Sequence, residues 1–409
     1  QNPGASNGTF RHYLGRTTGH PPACYSSLFP MHPYGLNDAE QKVASAAAAI
    51  AQGVGSRHAP EVDAEPRFPK EALAALAEQG FFGLCVAKDL GGQGHGARAY
   101  AAAVEELAQG CASTAMIYVM HVSAAQAIAS STTLAGRDEL LRQIAAGKHL
   151  TTLALSEKGS RSHFWAPVSK LAPKNGAYVT SAHKSWVTSA NHADSYVSSA
   201  QKPEAASALE STFYLARRSA GGMRIAGAFD GLGLRGNDSA PLVLEDLAVA
   251  HGDLISPPGE GPAVMLQVVL PWFAIGTAAM ANGICRAAVT ATSGHLQGSV
   301  LEHIGSRLRD IPVLRARLAQ MSLHTERARA MLGYTLGEFA RPSQSTPLYI
   351  LLARLASLEA AVEVTDLAMK ACGGAAFSKH LGVERLFRDA RAGWVMAPTA
   401  DHLNDFIGR

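Results

Sequence analysis

From Gly261 to Cys285 the chain runs without a single charged side chain. A stretch of that length has two stable fates. It crosses a bilayer, or it becomes a helix covered on nearly all sides by other helices. Gln267, Pro271, Asn282 and several glycines interrupt it, no aromatic belt flanks it, and no other stretch reads as a span. A covered helix is therefore expected, and with it a substantial helical core. Hydrophobic residues make up 47% of the 409-residue chain and charged ones 17%, which calls for two or three packed lobes and contacts between copies.

Charge and cysteine usage exclude several classes. With 36 basic against 33 acidic residues the net charge is +3, too balanced to argue for nucleic acid or a polyanionic surface. Cys24, Cys85, Cys111, Cys285 and Cys372 are odd in number and scattered, with no CxxC spacing, so neither a disulfide framework nor a zinc site is expected. A reducing cytoplasm fits this usage. The 16 histidines show no HxxxH or HxxEH pairing, so no metal is expected. The opening "QNPGASNGTFRHYLGRTTGHPPACYSS" lacks the apolar core of a signal peptide. Residues 1–40 read as a packed arm or an expression-derived segment.

Residues 41–150 are Ala-rich and amphipathic. "FPKEALAALAEQGFFGL" opens near Pro69 and closes at Gly80, as a capped helix would. "LGGQGHG", residues 90–96, lies between helical stretches rather than after a strand, so it reads as a turn and not a dinucleotide fingerprint. His121, in "YVMHVSA", is expected as a hydrogen-bonded core residue. Between 151 and 258 the period switches to short β-type runs, with Asn175-Gly176 signalling a type I′ hairpin. From 259 to 409 helices return. Two exceed twenty residues, the second stopping at Gly373-Gly374, read as a left-handed cap. The fold class is mostly α with a central β domain, ending in a four-helix bundle.

That order, with its motifs, resembles the acyl-CoA dehydrogenase superfamily over about residues 40–409. The motifs are "FPKEALAALAEQGFFGLCVAKDLGGQG", "LALSEKGSRSH", "KSWVTSA", "GLRGNDS" and "ERLFRDAR". The resemblance implies an N-terminal helical domain, a middle β barrel and a C-terminal bundle. It also implies an FAD-dependent oxidoreductase (FMN being the alternative cofactor) that assembles as a tetramer. Trp186 would pack against the flavin ring and Thr188 would hydrogen-bond near its N5. Ser156 would reach the pyrimidine edge and Ser162 the pyrophosphate. Thr399 joins this cofactor-binding set, as do Gly373 and Gly374, set against the adenosine of a neighbouring subunit. Trp186 and Thr188 lie two apart on an expected strand, so they should share a side.

The chain departs from that pattern where the chemistry sits. Most members carry a glutamate base just before a Gly-Thr pair; here the run is Met396-Ala397-Pro398-Thr399, and Ala397 holds the glutamate's place. A minority carry the base on the helix after a "GEG" turn, where this chain has Trp272. An Arg-x-x-Phe-Gly motif becomes Leu301-Glu302-His303-Ile304-Gly305, and a glutamine before the double glycine becomes Lys370. Three readings compete. Flavin-dependent oxygenation or oxidation leads, since it needs a dry pocket but no carboxylate. A dehydrogenase with a relocated base follows, with Asp401 and Glu157 as the acids to test and Glu157 read as structural. A non-catalytic thioester-binding scaffold is third. The substrate is expected to be a small acyl group, on CoA or a carrier protein, and the electron partner a flavin reductase or another acceptor.

Overall fold

Asn37 opens the first helix with reciprocal bonds: its side chain accepts from the Glu40 amide at 3.0 Å while Glu40 accepts from the Asn37 amide at 2.9 Å. The computed structural model describes residues 32–409. Residues 1–31, which hold most of the expected arm and Cys24, lie outside the described residues. Helix α1 (Asp38–Ile50) runs through a π-helical turn at Ala51–Gly55 into α2 (Ser56–Ala64). Helix α3 (Lys70–Glu78) follows Pro69 and is closed by Gly80 at φ +73°. Helices α4 (Ala97–Gly110), α5 (Ala112–Ala129) and α6 (Arg137–Ala145) complete this helical region. Among the described residues no strand precedes the Gly-rich loop before α4.

The middle region holds β1 (Thr151–Ala154), β2 (Ala172–Lys174), β3 (Ala177–Val187), β4 (Ser195–Gln201), β5 (Ser211–Arg217), β6 (Met223–Ile225) and β7 (Ala240–Val249). Lys174 pairs with Ala177 across a two-residue turn in which Asn175 and Gly176 both have positive φ, as the type I′ signal requires. The strands form two sheets, ordered β1-β4-β5 and β2-β3-β7-β6, rather than one continuously bonded barrel. Tyr196, Tyr214, Leu242, Leu244 and Leu247 fill the core that the sheets share. His121 of α5 accepts from the Thr151 amide through Nδ1 (3.2 Å), which leaves Nε2–H to donate to the Phe82 carbonyl (3.2 Å). Burial holds its pKa down to about 4, so it works here as the neutral ring that the bonds need.

The C-terminal region starts with α7 (Gly261–Val264), a π-helical turn at Met265–Val269, and α8 (Leu270–Gly298). A small hairpin, β8 (Val300–Leu301) and β9 (Ser306–Arg307), carries the altered Leu301–Gly305 motif at its tip. Next come α9 (Pro312–Ala340), α10 (Thr346–Cys372), α11 (Gly374–Phe377), α12 (Val383–Val395) and α13 (Ala400–Gly408). Helices α8, α9 and α10 pack on one another, and α12 packs on α8 and α10. Helices α4 and α5 also pack on α8. The charge-free run thus becomes a central helix. A second stretch, Ala112–Ala129 in α5, is also long and apolar enough to pass as a span, contrary to the sequence reading, and 83% of it is buried among its neighbours.

Small residues allow this close packing. A Cβ on Gly276 would lie 2.1 Å from the Tyr100 hydroxyl, and one on Gly283 would lie 2.3 Å from the Glu105 carbonyl. Charge then locks the contact. Glu105 is fully buried and accepts from Arg286 of α8 (2.8 Å), from Arg329 of α9 (3.0 Å) and from the Tyr34 hydroxyl. Gly373 does end α10, but at φ +55° and ψ −133°, outside the left-handed helical region expected; only glycine takes that conformation readily.

Candidate functional site

The alternation of β3 fails at its end. Trp186 has φ +56° and Ser189 φ +59°, and the pairing of β3 with β7 shifts register between Lys184 and Val187. Positive φ is uncommon for a large L-residue and marks a position held by its surroundings. The strand stops at Val187, so Thr188 lies beyond it, and the expectation that Trp186 and Thr188 share a strand face is corrected. Trp186 is 69% exposed, its ring meeting Phe229 edge-on at 6.4 Å, while Thr188 is buried with its hydroxyl 3.0 Å from that of Ser239. Beside Thr188, the Ser189 hydroxyl and the Asn237 side-chain oxygen are buried without a partner. An exposed indole next to orphaned polar atoms fits a flat ligand with hydrogen-bonding edges, as a flavin ring is.

Ser156 follows β1, and its carbonyl accepts from the Ser185 amide at 2.8 Å, which sets it beside Trp186. Thr152 donates to the Thr188 carbonyl at 2.9 Å, closing the group. Glu157 is buried and fully engaged: it holds Lys184 at 2.6 Å and accepts from the Val168 and Ser169 amides and the Ser169 hydroxyl. Burial alone would raise its carboxyl, but attraction to Lys184 and these bonds pull it below its ordinary range. It is structural, as read.

Ser162, half-buried, lies in the loop after Glu157. The same loop carries His163 and Trp165, whose rings meet His402 of α13 at 5.0 and 5.9 Å. That contact joins the Ser162 loop to the turn holding Ala397 and Thr399. Helix α12 ends at Val395, Ala397 is half-buried, the Ala397–Pro398 bond is cis, and Thr399 caps α13 by accepting from the His402 amide. Pro398 does not prevent the next turn from being helical: Asp401 is in the first turn of α13, exposed to solvent. An acid there complements the helix N-terminus. Gly373 and Gly374 stand apart. About 28 Å of helix separates Gly373 from Arg354, which touches Met396.

Three features were missed in the sequence. Trp272 packs against Tyr100 (5.5 Å) and Phe339 (6.0 Å), and the neighbouring Phe273 packs on Arg354 instead. Its ring lies 4.7 Å from the Arg354 guanidinium carbon, and Arg354 donates to the Met396 carbonyl at 3.0 Å. The available signal was an arginine inside the apolar run "YILLARLASLEAAV". Asp389 of α12 accepts from the Leu234 amide at 2.6 Å, tying the "GLRGNDS" loop to α12, and burial pushes its carboxyl up to about 6.

Comparison with known proteins gives a consistent result. The family profiles for the acyl-CoA dehydrogenase N-terminal, middle and C-terminal domains match residues 37–148, 152–247 and 259–409. The short-chain specific acyl-CoA dehydrogenase of Bos taurus mitochondria is 29% identical over 81% of this chain and 80% of its own length. Butyryl-CoA dehydrogenase from Megasphaera elsdenii superposes with a TM-score of 0.86 at 22% identity, over 91% of this chain and 98% of that one. PigA in complex with FAD superposes with a TM-score of 0.85 at 20% identity, over 91% and 97%. At those identities the two structures speak for the fold alone.

Proposed function

This chain belongs to the acyl-CoA dehydrogenase family, and we propose that it is an FAD-dependent oxidoreductase that oxidises or oxygenates an acyl thioester, or a related small molecule, without the family's carboxylate base. The observation that carries this reading is the turn at 396–399. Ala397 brings only a methyl group, Glu157 is committed to Lys184, and Asp401 faces solvent. Removing an α-proton requires a base within hydrogen-bond reach of it.

FAD, when bound, supplies a two-electron redox centre. Trp186 offers its exposed ring to one face, and the Thr188 hydroxyl offers a hydrogen bond to the ring's edge. Ser156, Ser162 and Thr399 would hold its polar flank, and Gly373 and Gly374 would leave room for the adenosine of a neighbour's cofactor; FMN would need only the first group. Ala397 and Pro398 leave apolar space where a glutamate would stand, and water is excluded rather than activated. In the oxygenating mode one atom of O₂ would enter the substrate and the other leave as water, with two electrons from a reductase partner and two protons from solvent. The working form is a cytoplasmic tetramer, and the acyl group arrives on CoA or a carrier protein.

Dehydrogenation with a relocated base is the second reading, favoured by the sequence relatives, and Asp401 is its test. The deciding experiment mixes the flavin-loaded enzyme with butyryl-CoA without oxygen, then repeats turnover in labelled O₂. We expect no anaerobic bleaching and labelled oxygen in the product, with Ala397→Glu impairing that reaction. Anaerobic bleaching with unlabelled product, abolished in Asp401→Asn, selects the second reading.

A further inference from the structure

Arg354 of α10 has no exposed surface at all. One donor, Nη2, reaches the Met396 carbonyl; Nε and Nη1 are buried without a partner. Phe273 covers one face of the guanidinium. No carboxylate offsets this environment, and burial alone presses its pKa down to about 9.

The other buried cations among the described residues are treated differently. Lys184 holds Glu157 at 2.6 Å, Arg286 holds Glu105 at 2.8 Å and Glu106 at 2.5 Å, and Arg329 holds Glu105 at 3.0 Å. Taking a charge out of water is expensive unless a counter-charge and hydrogen bonds replace the lost solvent. Three of these cations have that replacement within the chain. Arg354 lacks it, and it sits against the residue preceding Ala397.

We propose that Arg354 is the receptor for a carboxylate carried on the acyl part of the substrate. An acyl group ending in an acid would bring the counter-charge that the chain omits, entering past the small side chain of Ala397. Because the guanidinium is sealed within the chain, the turn at Met396–Pro398 must give way as the carboxylate arrives. A cationic acyl group, such as an aminoacyl thioester, is disfavoured by the same charge. The inference rests on the thioester reading above and adds a substrate class to it.

The test uses the full-length, flavin-loaded protein and flavin absorbance. Succinyl-CoA and butyryl-CoA, alike in chain length and different in the terminal acid, are titrated in parallel. A charge-assisted hydrogen bond predicts about tenfold or greater preference for succinyl-CoA. That ratio should fall to about one in Arg354→Met and persist in part in Arg354→Lys, which keeps the cation; a merely structural arginine would not move the ratio. Equal or weaker binding of succinyl-CoA in the wild type overturns the proposal. If neither thioester perturbs the flavin, the thioester reading fails, and the receptor is read separately by thermal melting in propionate against chloride at equal ionic strength. A propionate-specific rise present in the wild type and absent in Arg354→Met supports the receptor; no such difference overturns it.

Discussion

Helix α8 passes two buried guanidiniums about 20 Å apart along its axis, and they live under opposite conditions. Arg286, on α8 itself, is met by Glu105 and Glu106 of α4. Arg354, resting on Phe273 of the same helix, meets one carbonyl and no acid. The first arrangement is complete within the chain and joins α4, α8 and α9. The second is incomplete, and it adjoins the turn where the family's reaction is centred. Buried charge that the chain satisfies serves the fold; buried charge left unsatisfied points toward a ligand.

Breaking the complete cluster should have the largest effect. Glu105→Gln removes the acid that Arg286 and Arg329 share, leaving Arg286 with Glu106 (2.5 Å) and Arg329 with Glu326 (2.9 Å), and we expect a loss of about 3–5 kcal/mol in urea unfolding. A loss under about 1 kcal/mol would mean that Glu106 and Glu326 suffice.

His121 sharpens the contrast as a buried base kept neutral. Its folded pKa, about 4, lies below the unfolded value of 6.5. The unfolded chain therefore takes up the proton first as pH falls. The stability from this group is complete above about pH 6.5 and is lost on descending toward about pH 4, by roughly 3 kcal/mol. His121→Gln should flatten the pH dependence of the unfolding midpoint across that window.

Arg354→Met should act in the reverse sense to Glu105→Gln. Without ligand it removes an uncompensated charge and one hydrogen bond, so the outcome should lie between neutral and a gain of about 2 kcal/mol. A clear loss would place Arg354 with Arg286 as a structural residue. Smallest is Thr188→Val, which removes the hydroxyl proposed to meet the cofactor's edge. The bound flavin's redox behaviour should shift by about 1 kcal/mol, read as a change in midpoint potential.

Local rules carried much of the fold. The Asn175-Gly176 turn, the Pro69 and Gly80 boundaries and the long helices all follow from backbone preferences within a few residues, and they appear where the sequence puts them. The same rules misjudged Trp186, because a single positive φ at the end of β3 undoes the alternation on which the face assignment stood.

The amino-acid order by itself determined the succession of helical, β and helical regions, the family, and the missing acid at Ala397. All of these are written in short patterns and single residues. The tertiary structure alone decided which charges are answered. Arg286 and Arg329 find Glu105 across 181 and 224 residues of chain, while Arg354 finds no acid at all. Periodicity fixes which face of a helix turns inward, but the partner that face meets depends on how distant helices dock.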